Sequence, residues 1–219
     1  MTHNNQQRVL VVGASRGIGL ELVRQYLADG WEVHATSRNP DQPGRLGELP
    51  GDLTLHPFEV RDDAQLALLA RSVSALDVMV HNAGVGRGTP RPEMMAINAK
   101  APIRTVEALL DAGAISPGGK VVLVTSQMGA RRDQEGSLGD YGDSKAALND
   151  EFRRRAPGWA ARGVIAIVLH PGWVRTDMGG SSAPLSVEES VTGISVLVSG
   201  LTDAEHGRFW TWDGREHPW

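Results

Sequence analysis

Two residues of this chain pair a proton donor with a cation at helical spacing: Tyr141 and Lys145, in Tyr141-Gly142-Asp143-Ser144-Lys145. Four residues apart on a helix, they share one face. A free phenol titrates near pH 10, too high for efficient proton transfer at neutral pH. A neighbouring ammonium favours phenolate. Such a pair can deliver a proton to a nascent alkoxide during carbonyl reduction, or remove one during alcohol oxidation. Ser126 in Val124-Thr125-Ser126 offers a hydroxyl to hold a substrate oxygen. Asn82-Ala83-Gly84, Asn98 and Pro171-Gly172-Trp173-Val174-Arg175-Thr176 supply further polar or glycine-rich turns.

A second group of residues points to a nucleotide. Gly13-Ala14-Ser15-Arg16-Gly17-Ile18-Gly19 follows an aliphatic run and opens a helical pattern. Glycines permit positive φ and close backbone approach, and a helix N-terminus offers unpaired N–H groups to a pyrophosphate. The spacing is G-x-x-x-G-x-G, not the more common G-x-G-x-x-G. Thr36-Ser37-Arg38 ends the next strand, where an acidic residue would take the ribose 2′-hydroxyl of NAD. Arginine there pairs instead with a 2′-phosphate, and Arg16 can assist from the turn. NADP(H) is therefore expected in preference to NAD(H).

These residues need a frame that gathers strand ends. Val9–Val12 reads as a parallel strand covered on both faces, and Leu20, Val23 and Leu27 as a helix ended by Gly30. Further strands are expected over Glu32–Thr36, Leu53–Val60 (interrupted by Pro57), Leu76–Val80, Val121–Thr125, Val164–Leu169 and Arg208–Trp212. Helices are expected over Ala64–Val73, Met94–Leu110 with a kink at Pro102, Tyr141–Arg154 with Pro157 and Gly158 ending or breaking it, and Val187–Leu201. Asn39–Gly51 reads as a loop. The alternation implies an α/β fold, a doubly wound parallel sheet in three α/β/α layers. Ligands then sit beyond the C-terminal strand ends, where every candidate residue above falls. With 219 residues and no linker or repeat, the chain is expected to form a single Rossmann-type domain over residues 1–219.

Composition narrows the function. The absence of cysteine excludes disulfides and thiol catalysis. A net charge of −4 gives no reason to expect a nucleic acid or anionic membrane as partner. The polar Met1–Arg8 stretch and the shortness of the longest aliphatic run, Val164–Leu169, lead us to expect a cytoplasmic protein. No histidine stands at a trusted metal-ligand spacing, so no metal is expected. His81 and His170, at strand ends, read as structural or supporting. Phe209, Trp210, Trp212 and Trp219 are expected to pack on the sheet or a neighbouring subunit, and Arg153, Arg154 and Arg155 to form a solvated helix face.

Taken together, Gly13–Gly19, His81-Asn82-Ala83-Gly84, Asn98, Ser126, Tyr141/Lys145 and Pro171-Gly172 resemble the short-chain dehydrogenase/reductase family over about Val9 to Leu201. His170 to Gly180, followed by Ala183-Pro184, is similar to its small C-factor- and sniffer-like carbonyl-reductase group. The resemblance implies roles. Tyr141 is the general acid/base, Lys145 holds the nicotinamide ribose and lowers the tyrosine, Ser126 orients the carbonyl, and Asn98 supports a water relay. On the cofactor, the resemblance places Gly13, Ser15, Arg16, Gly17, Ile18, Gly19, Arg38, Glu59, Val60, Asn82, Ala83, Gly84, Pro171, Gly172, Val174 and Thr176. The substrate is a small carbonyl/alcohol molecule, and family members often form homodimers or homotetramers. Glu59 stands where relatives more often carry Asp. The Asn82–Asn98 stretch is short for the family. Ser126–Tyr141 is slightly long and holds Arg131, Arg132, Asp133, Gln134 and Glu135. Met178–Leu185 leaves little room for a substrate lid, which implies an open site or one completed by a partner subunit. A competing expectation is a nucleotide-binding signalling protein in which turnover is incidental.

Overall fold

The structure is a computed structural model that describes residues 6–130 and 139–219; Arg131 to Glu135 and His3 lie outside the described residues. Seven parallel strands form one sheet in the order β3-β2-β1-β4-β5-β6-β7. They are β1 Arg8–Val12, β2 Glu32–Ser37, β3 Leu53–Pro57, β4 Leu76–His81, β5 Ile115–Val124, β6 Ile165–His170 and β7 Phe209–Thr211. Successive side chains along a strand face opposite layers. Leu10, Val12, Leu123 and Val168 join the core under α2 Asp63–Ser72, α4 Ala101–Asp111 and α5 Gly139–Ala160. Val9, Val11, Val122 and Ile167 join the core under α1 Gly17–Ala28 and α6 Val187–Gly200. Strands buried on both faces are why the sequence shows unbroken aliphatic runs. The strand order reverses between β1 and β4, and a crevice opens there at the C-terminal ends.

Four boundaries differ from expectation. β3 stops at Pro57, which pairs with Ser37 at the end of the ladder. Phe58 and Val60 leave the sheet and bury under α2, which Asp62 caps by accepting from the amides of Ala64 and Gln65 at 2.9 and 3.0 Å. β5 starts at Ile115, six residues early, after a register shift against β4. Pro157 does not end α5, which runs on to Ala160. An internal proline costs a helix about 3 kcal/mol. Trp159 offsets it: the indole is fully buried, meets Phe152 edge-on at 5.9 Å, and donates to Glu107 at 3.0 Å. Finally, the Met94–Leu110 helix is three pieces: α3 Arg91–Met95, a π-helical turn Ala96–Lys100, and α4. Pro102 has no N–H for the Asn98 carbonyl one α turn back, and its ring would strike that carbonyl. The wider turn relieves the clash, and such turns favour functional positions.

On the β2–β3 side, His34 Nδ1 meets His56 Nε2 at 3.0 Å, and both rings are buried. The chain of contacts continues from His56 to the Ser72 hydroxyl at 3.3 Å, and from His34 to Glu32 at 3.3 Å. Burial lowers both histidines, His56 to about 4. The native state therefore binds fewer protons than the unfolded chain, whose histidines titrate near 6.5. Their contribution is complete above that value and is lost as pH falls through it toward 4. Urea unfolding at pH 7.5 and pH 5 should show a loss of about 2 kcal/mol from this pair. His56→Gln should flatten that dependence; an unchanged slope would show that the pair does not titrate with unfolding.

Candidate active site

The site is assembled by fixing α5 to the end of β5. Lys145 is buried, and its ammonium donates to the Val124 carbonyl at 2.9 Å. Thr125 Oγ1 donates to Asn149 Oδ1 at 2.7 Å, and Asn149 Nδ2 donates to the Gly129 carbonyl at 3.2 Å. Gly129 lets the helix come this close: a Cβ there would lie 2.7 Å from the Lys145 carbonyl carbon. Tyr141 thereby lies over the strand end, with Lys145 Nζ 6.0 Å from its ring centre. The Ser126 hydroxyl hydrogen-bonds the phenol and also accepts from the Met128 amide at 3.1 Å. Burial pushes the Tyr141 phenol above its ordinary range, and the Ser126 hydrogen bond pulls it partly back. Burial pushes the Lys145 ammonium down to about 8.

Asn98 ties the other wall to α5. Its Oδ1 accepts from the Val85 amide at 2.9 Å, and its Nδ2 donates to the Val85 carbonyl at 2.9 Å and to Ser144 Oγ at 3.0 Å. Ser144 in turn donates to the Tyr141 carbonyl at 2.7 Å. Both amide hydrogens are thus committed to protein, and the side chain works as a brace. Gly84 is wedged between Asn98 and Lys145; a Cβ there would lie 3.3 Å from Asn98 Oδ1 and 3.6 Å from Lys145 Nζ.

The glycine turn lies at the reversal between β1 and β4. Its shape is held by neighbouring strand ends. Gly13 N donates to Thr36 Oγ1 at 3.0 Å, Ala14 N to the Thr36 carbonyl at 3.1 Å, and Asn82 Nδ2 to the Gly13 carbonyl at 2.9 Å. Gly13 has φ +82° and Gly17 φ +54°. A Cβ on Gly13 would strike the Ala83 backbone at 2.7 Å, and one on Gly19 would strike Asn82 Nδ2 at 2.7 Å. The first and last glycines of the motif are therefore required by the protein's own packing. The first α1 bond runs from Leu20 N to the Arg16 carbonyl at 3.3 Å, so the amides ahead of it have no intrahelical partner. No side chain caps this end. That is a cradle for an anion.

The remaining candidates fall around this cradle. Arg38 is exposed just past β2 and has no ion-pair partner among the described residues. Arg16 instead pairs with Asp177 at 2.9 Å, bridging the glycine turn to the Pro171 turn. Glu59 turns its carboxylate onto Arg61 at 3.1 Å, and Val60 points into the core. Pro171 is held by Ser190, whose buried hydroxyl donates to its carbonyl at 2.6 Å. Gly172 has φ +85°, and a Cβ there would meet Trp212 at 2.9 Å. The Thr176 methyl faces Gly17, while Val174 bridges Leu185 in the short segment after the turn. Gly129, Ser144, Asn149, Thr36 and Ser190 were not singled out from sequence. Ser144 and Asn149 carried a signal, since they share the helix face of Tyr141 and Lys145.

The model of the short chain dehydrogenase family matches residues 7–184. The chain belongs to that family. C-signal of Myxococcus xanthus is 35% identical over 154 residues, covering 66% of this chain and 93% of that protein. The NADPH-bound carbonyl reductase from chicken fatty liver superposes with a TM-score of 0.84 at 30% identity, covering 98% and 99% of the two chains. The carbonyl reductase Sniffer of D. melanogaster does so at 0.87 and 25% identity, covering 98% and 100%. These are the two kinds of relative that the His170–Gly180 stretch resembles.

Replacing Asn98 by Leu would leave the half-buried Val85 amide and carbonyl without this partner and take one donor from buried Ser144. The expected cost is about 2–4 kcal/mol, read as a lowered urea midpoint. A variant as stable as wild type would show that Asn98 is no brace.

Proposed function

We propose that the protein is an NADP(H)-dependent reductase that interconverts a small carbonyl compound and its alcohol. One observation carries the reading: the Ser126 hydroxyl, the Tyr141 phenol and the buried Lys145 ammonium meet at one strand end, beside an uncapped helix N-terminus. Bound NADPH would supply hydride to the carbonyl carbon. The cradle fits such a group. Unpaired amides of the Arg16–Gly19 turn would take the pyrophosphate, Arg38 a 2′-phosphate, and Lys145 the ribose hydroxyls. Ser126 and Tyr141 would hold the carbonyl oxygen, and Tyr141 would give its proton to it as alkoxide character develops. A phenol raised by burial carries its proton at neutral pH, which is the state that reduction requires. The Asn98 carbonyl, which receives no amide from Pro102, is the acceptor we assign to a water replacing that proton. The reading as a signalling protein without turnover has no use for this acid.

Tyr141→Phe should cut kcat for NADPH-dependent carbonyl reduction by at least about 100-fold while leaving NADPH binding within twofold. Binding by both proteins with turnover by neither would favour the signalling reading. Arg38→Asp should weaken NADPH by at least tenfold and NADH little. Equal losses measured by fluorescence titration would remove Arg38 from the selection.

A further inference from the structure

A cavity of about 350 Å³ opens beside Gln127, the neighbour of Ser126, and beside Gly172. It is at the small end of ligand pockets, which run about 300–1,000 Å³, so it suits a compact molecule. Trp173, Leu185 and Trp212 give it one apolar side, and polar residues complete the rest. Trp212 is set in place by two glycines: a Cβ on Gly172 or on Gly193 of α6 would strike its ring at 2.9 or 2.7 Å. Trp173 is half exposed on this side.

The charged groups of the outer wall are spent on one another. Arg215 bonds Asp213 at 2.8 Å, and Glu216 bonds Arg208 at 2.8 Å. The Thr211 hydroxyl donates to the Arg215 carbonyl at 3.0 Å. An ionic substrate would find no free counter-charge among these groups. One buried ring keeps hydrogen-bonding capacity. His170 ends β6, lines the cavity and is nine-tenths buried; among the described residues neither ring nitrogen has a hydrogen-bond partner, Nδ1 being sealed off and Nε2 the nitrogen with accessible surface. Burial and the nearby His217 hold it down at about 4, so it is neutral. A neutral imidazole can both donate and accept, and a buried unmade hydrogen bond is costly.

Building on the reductase reading, we propose that His170 is a specificity-determining residue for a neutral substrate. The apolar body of that substrate lies against Trp212 and Leu185. A hydroxyl or second carbonyl, remote from the reacting carbonyl, hydrogen-bonds the His170 ring. The substrate class is thus a compact, uncharged aldehyde or ketone with an apolar body and one further polar oxygen.

The test uses purified protein with NADPH and four aldehydes: benzaldehyde, its 3-hydroxy and 4-hydroxy derivatives, and 3-carboxybenzaldehyde. Wild type should show kcat/KM at least tenfold higher for one hydroxy derivative than for benzaldehyde, with the carboxylate poorest. His170→Leu should erase the hydroxyl preference and leave benzaldehyde within about twofold, and His170→Asn should restore part of it. If the Leu variant does not fold, the Asn variant with an altered hydroxy-to-parent ratio carries the test. Equal losses on benzaldehyde and its hydroxy derivatives, no hydroxyl preference in wild type, or preference for the carboxylate would overturn the proposal. NADPH binding without turnover of any aldehyde would overturn the reductase reading itself.

Discussion

A buried ammonium must find acceptors, and much of this molecule's functional end follows from that need. Lys145 is buried and donates to the last carbonyl of β5. For this to work, α5 must lie close against the strand end. Gly129 gives the clearance, Thr125 and Asn149 fix the height, and Asn98 through Ser144 fixes the lateral position. Tyr141 is one turn away on the same face, so its place is settled by the same contacts. The cost of burying a charge is met by bonds that also aim a phenol.

The fold was largely legible in the residues. Continuous aliphatic runs marked strands covered on both faces, and the polar or glycine-rich residue after each run marked the ligand edge. What the sequence hid was balance between opposing terms. Pro157 signalled a helix end, and the burial of Trp159 against Phe152, with its bond to Glu107, explains why α5 continues. Pro102 signalled a kink, and the strain appears as a π-helical turn placed on Asn98. Pro57 interrupted the strand pattern and does end β3, while Phe58 and Val60 beyond it belong to the core under α2 rather than to the sheet.

The site was legible in its residue types and less so in their partners. Tyr141 and Lys145 on α5, Asn98 in the π-helical turn and Ser126 past the end of β5 come together. The glycine motif is subtler. Gly13 and Gly19 answer to Ala83 and Asn82, so the motif encodes how β1 and β4 end together before it encodes any ligand. In sequence Arg38 was read as the 2′-phosphate partner and Arg16 as its helper. Asp177, more than 150 residues away, engages one and leaves the other, a distinction that only tertiary structure makes.

The segment after Gly172 is fastened to itself. Trp173 Nε1 donates to the Gly179 carbonyl, Arg175 to the carbonyls of Ala183 and Pro184, and Arg175 N to Leu185. A loop already ordered has little conformational entropy left to lose when a ligand arrives. Discrimination by induced closure is then largely closed to this enzyme, and ligand exchange need not wait for a gate to open. Selectivity falls to preformed walls, and turnover to the speed of the chemistry and of dissociation.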